Sequence, residues 1–159
     1  MDSERVNQWL TLGANIGVLV GIGLLIFELQ QNREMIRAQT RTQLAQGVSE
    51  LLTANMNDAA YASILQRGNR GEQLTDLEQY QYDRYRNAFI AYNENVVYQY
   101  KIGLYDTDEF SHHIARIAGD LDRYPGIRAH WCKNRDSMSK DLVELAEAQA
   151  IEKPCPVSK

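Results

Sequence analysis

Apolar positions fall along this chain in two patterns. From Val6 to Phe27 the sequence VNQWLTLGANIGVLVGIGLLIF holds no charged side chain over 22 residues. As a helix, a run of that length covers roughly 33 Å, close to the hydrocarbon thickness of a bilayer. From Glu28 onward the apolar positions turn periodic. Ile36, Thr40, Leu44, Val48, Leu51 and Leu52 recur at three- and four-residue spacing, and no proline interrupts the stretch to Asn55. The pattern predicts one helix that leaves the membrane and continues as an amphipathic rod to about Met56. Asn57-Asp58 restarts a short helix through Tyr61, Ile64 and Leu65, and Gly68-Asn69-Arg70-Gly71 is a loop.

Thr75-Asp76-Leu77-Glu78 is a capping box. The helix it opens is predicted to run to Ile102 and stop at Gly103. Its buried face is expected to carry Leu77, Tyr80, Tyr85, Ala88, Ala91, Tyr92, Val96, Tyr98 and Ile102. Ile90 and Val97 lie on the other side, so the helix is apolar twice over and belongs in the middle of a bundle or at a subunit contact. Thr107-Asp108-Glu109 begins a further helix through Ile114, Ile117 and Leu121. Pro125 opens a short one carrying Ile127 and Trp131, and a last helix runs from about Lys140 to Ile151. No stretch alternates like a strand. The expected fold is all-α: a single N-terminal transmembrane helix continuing into a long amphipathic helix, then a small helical bundle. The expected segments are residues 1–28 for the membrane part, 29–152 for the helical domain and 153–159 for a disordered tail.

Composition narrows the classes. Charged residues at 24% and hydrophobic residues at 44% are ordinary for a folded chain. A net charge of −4 and the lack of a Lys/Arg run argue against nucleic acid as a partner. No small-x-small cleavage site follows Phe27, so the apolar run reads as an anchor and not as a removed signal. Arg33, Arg37 and Arg41 after the run outweigh Arg5 and the amino terminus before it. That bias places the N-terminus outside and the following domain in the cytoplasm, where Cys132 and Cys155 would stay thiols.

The membrane helix has two distinctive sides. Gly13, Gly17 and Gly21 repeat every four residues, a small-xxx-small row suited to close helix–helix approach in lipid. Gln8, Thr11 and Asn15 lie on the opposite side, and an amide at Asn15 calls for a hydrogen-bonding partner inside the bilayer. Helix packing through Gly13, Gly17, Gly21 and Asn15 is the primary expectation. A pore lined by Gln8, Thr11 and Asn15 is the alternative.

Chemical motifs are sparse. His112-His113 and His130-x-Cys132 lack the i, i+4 ligand spacing of a helical metal site, and no metal or cofactor is expected. No G-x-S-x-G, phosphate-binding loop or dinucleotide fingerprint is present. The pairs Asp106/Asp108 and Asp120/Asp122 sit where helix ends are expected, and Tyr80, Tyr82 and Tyr85 read as bundle packing. Arg84, Asn95, Gln99 and Arg128 are the candidates for an internal polar network.

NVVYQYKIGLYD, PGIRAHW and RDSMS, with the apolar run ending in Phe27-Glu28-Leu29-Gln30-Gln31-Asn32, resemble an uncharacterised family of small bacterial proteins with one N-terminal membrane helix and a C-terminal helical domain. The most specific parts are Gly103-Leu104-x-Asp106, Pro125-Gly126-x-Arg128-x-x-Trp131 and Arg135-Asp136. Met138 departs from the pattern, where an aromatic residue is expected. The resemblance implies the bacterial inner membrane and no particular activity. The expected role is therefore a membrane-anchored, self-associating homo-oligomer with a structural, scaffolding or sensing function, and no enzyme. An oligomeric channel or transport accessory is one alternative, and a ligand-binding or enzymatic domain around Arg84, Tyr98 and Arg128 another.

Overall fold

The computed structural model describes residues 3–56, 58–151 and 155. Among the described residues six α-helices follow in order: α1 Ser3–Met56, α2 Ala59–Asn69, α3 Asp76–Lys101, α4 Thr107–Arg123, α5 Pro125–Asn134 and α6 Lys140–Gln149. A single 3-10 turn, Arg135–Ser137, links α5 to α6. No strand occurs among the described residues. The all-α class, the long apolar first helix and the small bundle are as expected. Of the expected tail, only Cys155 is among the described residues, and Asn57 lies outside them.

The chain divides into two compact units, Met1–Gln39 and Thr40–Lys159. The first is helical throughout its described length. α1 is near the N-terminus and is long and apolar enough to cross a membrane; none of its apolar segment is buried within the protein. Trp9, Leu19, Leu24 and Phe27 are all exposed. In water this much uncovered apolar surface would be costly, whereas in lipid it is solvated.

The second unit is stopped and started by local chemistry. Asp58 caps α2, accepting from the Ala60 N–H at 2.8 Å. Thr75 and Glu78 form the reciprocal capping box of α3, and Arg67 of α2 pairs with Glu78. Gly103, at φ +77°, ends α3 in a left-handed conformation that favours glycine. Asp106 caps α4 through the Asp108 and Glu109 N–H groups. α4 then turns Phe110, Ile114, Ile117 and Leu121 inward at helical spacing. They meet Val96 and Val97 of α3, Ile127 and Trp131 of α5, Leu142, Val143 and Ala146 of α6, and Leu44 from the end of α1. Met138 is also buried there, so the position expected to be aromatic is filled by a flexible thioether. Tyr100 stacks on Phe110 at a 3.8 Å centroid separation.

Three expectations are corrected. α3 buries Tyr82, Arg86, Ile90, Asn93, Val96 and Val97, the side opposite most of the expected set. Leu77 at 68% exposure, Tyr80 at 61% and Tyr98 at 58% face outward with Ala88, Ala91 and Ile102. Asn93 turns inward to a partner on α4 and Asp83 to one on α5. The last helix ends at Gln149, short of Ile151. Finally, Cys132 and Cys155 are not thiols but a disulfide, with Cα atoms 5.4 Å apart.

Candidate functional site

The polar interior of α3 organises a cleft against α2 and α5. Three glycines build one wall. Gly71, at φ +73°, turns the chain after α2, and its N–H donates to the Gly68 carbonyl at 3.0 Å. Gly126, in the first turn of α5, packs so closely that a β-carbon there would lie 1.7 Å from the same Gly68 oxygen. Tyr82 of α3 leans on Gly68, and its hydroxyl is 3.2 Å from the Asn69 side-chain oxygen. The resulting cleft holds about 240 Å³, with Gln79, Asp83, His130 and Lys133 forming much of the opposite wall.

His130 is buried at its centre. Its Nδ1 lies 3.1 Å from Asp83 Oδ1 and its Nε2 3.0 Å from Asn87 Oδ1. The Asn134 amide nitrogen is 3.3 Å from the same Nε2. Burial pushes the His130 imidazole below its ordinary value, against the opposing pull of Asp83. A neutral ring carries one proton, and the carboxylate can only accept, so Nδ1–H donates to Asp83. Nε2 is then left to accept, from the Asn134 amide at 3.3 Å and from the Asn87 carboxamide once its nitrogen is turned to the ring. Burial also pushes the Asp83 carboxyl up, but hydrogen bonds from Gln79, Lys133 and His130 outweigh this and hold it below the usual aspartate range. Lys133 Nζ completes the group, 3.2 Å from Asp83 Oδ2.

This arrangement ties α3 to α5. Both nitrogens of His130 are engaged within the protein. The ring thereby braces α3 against α5. A second histidine repeats the design. His113 Nε2 is 3.0 Å from Asn93 Oδ1, and Arg116 approaches its Nδ1 at 3.2 Å. Burial, with Arg116 adding to it, pushes the His113 imidazole down to about 4. The neutral ring donates from Nε2 and accepts at Nδ1. Among the described residues no group of three His, Cys, Asp or Glu side chains is placed to hold a metal ion.

Among the described residues the expected polar network forms only in part. Gln99 bonds locally to Asn95 at 3.3 Å, while Arg84 lies over the Tyr80 ring, 5.8 Å from its centroid. Arg128 instead donates to the Leu121 and Asp122 carbonyls at 2.9 and 2.8 Å, closing the C-terminus of α4. Among the described residues, Arg84 and Arg128 thus make separate contacts. In α1, Gly13, Gly17 and Gly21 have open space where a β-carbon would sit. The Thr11 hydroxyl donates back to the Asn7 carbonyl at 2.9 Å, so its hydrogen is spent within the helix. Gln8 and Asn15 are exposed.

Sequence reasoning missed Asp83, Asn87, Arg86 and Asn93. Arg86 is buried with its Nε unbonded, its guanidinium 5.3 Å from the Phe89 centroid. A usable signal was present. Asp83, Arg86, Ile90, Asn93 and Val97 share one helical side, and polar residues interleaved with β-branched ones mark an interior that is hydrogen-bonded. Comparison with known proteins finds no family model, no curated protein and no solved structure that matches this chain.

Proposed function

We propose that this chain is a membrane-anchored, self-associating helical protein whose role is structural, scaffolding or sensing. The observation that carries this reading is the apolar part of α1, uncovered along its length, with an open glycine row on one side. Helices in lipid gain little from burying apolar surface, so close backbone approach at glycines is a main route to association. The inward-turned histidines support the same reading, because their nitrogens are spent on holding the bundle.

The helical domain is assigned to the oxidising side of a bacterial inner membrane, with the N-terminus in the cytoplasm. Two features pull in opposite directions here. The arginines after the apolar run favour a cytoplasmic domain, and the disulfide favours an oxidising compartment. The arginine excess is small, and a covalent bond across 23 residues is the more specific feature. Thiol alkylation in intact cells decides it. Protection of both cysteines until a reductant is added supports this side, whereas free thiols restore the cytoplasmic placement.

Crosslinking of the full chain in membranes tests self-association. Oligomers that weaken in Gly17→Leu are expected. A strict monomer, indifferent to Gly17→Leu, would overturn the reading.

A further inference from the structure

His113 and His130 both tie α3 to a neighbouring helix, but the two contacts differ in what they offer a second proton. His130 has an acceptor for each ring nitrogen: Asp83 Oδ1 at Nδ1 and, with its oxygen turned to the ring, Asn87 at Nε2. Asn134 then keeps its bond to the His130 carbonyl. Lys133 and Arg86 oppose a charge on this ring, while Asp83 touches it and favours one. A charged His130 therefore keeps its hold on α3.

His113 has no such provision. Arginine only donates, so the Arg116 contact at 3.2 Å fixes Nδ1 as an acceptor and leaves Nε2–H to donate to Asn93 Oδ1. A proton on Nδ1 would point one N–H at another and set two positive charges side by side. The surroundings give no relief. From α3 come the neutral Asn93 and the ring of Tyr92, 5.9 Å between centroids, a phenol that burial keeps protonated. The loop before α4 brings Tyr105, whose phenol burial also pushes up. On α4 itself, Glu109 lies one turn before His113 and pairs with Arg41 of α1. Among the described residues Arg116 is the charged group that acts on the ring. His113 is 5% exposed, so water does not solvate a charge in place. A protonated ring must leave its seat.

We propose that the His113 contact is an acid-released catch between α3 and α4, and that protons are the signal this domain senses. This rests on the sensing reading of the function and names its input. On the side of the membrane assigned above, the acidity of the medium reaches the domain. Release frees the first half of α4, which also holds Arg41 of α1 through Glu109. The α3–α5 contact at His130 stays closed, so the bundle loosens along one seam only.

The test is amide hydrogen exchange of the full chain in mild detergent, corrected for the intrinsic effect of pH. The ring titrates at about 4 when seated and 6.5 when free, so acid favours the open form. Between about pH 7 and about pH 4.5 the open fraction should grow roughly fiftyfold. Protection from Phe110 to Ile117 of α4 and from Ile90 to Val96 of α3 should fall by that order, while α5 keeps its own. His113→Gln should remove the response, because its carboxamide donates to Asn93 and accepts from Arg116 but takes up no proton. A second measurement needs no variant: the rise in exchange should level off at the pH where the seated His113 ring titrates by NMR. Equal loss across α5 and α6, no loss on acidification, the same loss in His113→Gln, or a levelling point apart from the ring's titration overturns the proposal. Its failure is separable from that of self-association. Crosslinking at neutral pH reports oligomers whether or not α4 opens, and the exchange response needs no second copy.

Discussion

Replacing Gly126 by alanine sets two effects of opposite sign against each other. In a helix interior alanine is favoured over glycine by about 1 kcal/mol, and by less in a first turn, where Gly126 lies. Against this, the new β-carbon would sit 1.7 Å from the Gly68 oxygen, 2.9 Å from the Gly68 carbonyl carbon and 3.0 Å from the Gly71 nitrogen. All three are backbone atoms, so no side chain can swing away, and the Gly71 N–H already holds that carbonyl. Overpacking relieved by side-chain movement costs about 1–3 kcal/mol, and this case requires α2 and α5 to separate. The expected net loss is about 3 kcal/mol or more. Gly119→Ala is the control, because Gly119 is inside α4 and a β-carbon there meets nothing within 4 Å. It should gain up to about 1 kcal/mol. Thermal unfolding of the full chain in mild detergent measures both, read from Trp131 fluorescence in a Trp9→Phe background. Gly126→Ala should melt about 10 °C lower and Gly119→Ala a few degrees higher. Equal melting temperatures for Gly126→Ala and the parent would refute the α2–α5 contact and the cleft built on it.

Other perturbations read separate parts of the domain. His113, at about 4 when folded and 6.5 when free, stays neutral in the fold while the unfolded chain takes up a proton, so stability is retained above pH 6.5 and falls as pH drops towards 4. Its share is at most about 3 kcal/mol, and denaturant midpoints in His113→Gln should fall less steeply across that window. Asp83→Ala strands the buried His130 Nδ1–H and should cost about 1–3 kcal/mol, whereas Asp83→Asn, which keeps an acceptor, should lose less on urea titration. Cys132→Ala opens a loop closed across 23 residues and should lower stability by about 3 kcal/mol, checked by melting with and without reductant.

Local chemistry was legible in the sequence, and the choice of face was not. The capping box at Thr75, the stop at Gly103 and the start at Pro125 depend on a few neighbouring residues and were readable directly. The inner face of α3 depends on partners from far along the chain. Asn93 is buried because His113 reaches it from 20 residues away, and Asp83 turns inward because His130 meets it from 47 residues away. A count of apolar positions favours the opposite side, where Leu77, Tyr80 and Tyr98 lie. The same long reach hid the cleft. His130 carries no metal or nucleophile spacing, and nothing adjacent in sequence announces Asp83 or Asn87 as its partners.

The inversion of α3 decides what the bundle presents outward. A helix on the surface of a monomer normally turns apolar residues inward and polar ones to water. α3 spends inner positions on Asp83, Arg86 and Asn93 and leaves Leu77, Tyr98 and Ile102 outside. The inner polar groups are tolerable because hydrogen bonds replace the water they lose, as at Asn93 and Asp83. The outer apolar groups have no such compensation within the domain. The polar seam inside fixes how α3 rotates in the bundle, and that rotation sets which residues the helix offers outward. On this account Asp83→Ala should loosen the rotation of α3 and raise amide hydrogen exchange along it severalfold. Unchanged exchange in Asp83→Ala would separate the rotation of α3 from the inner network.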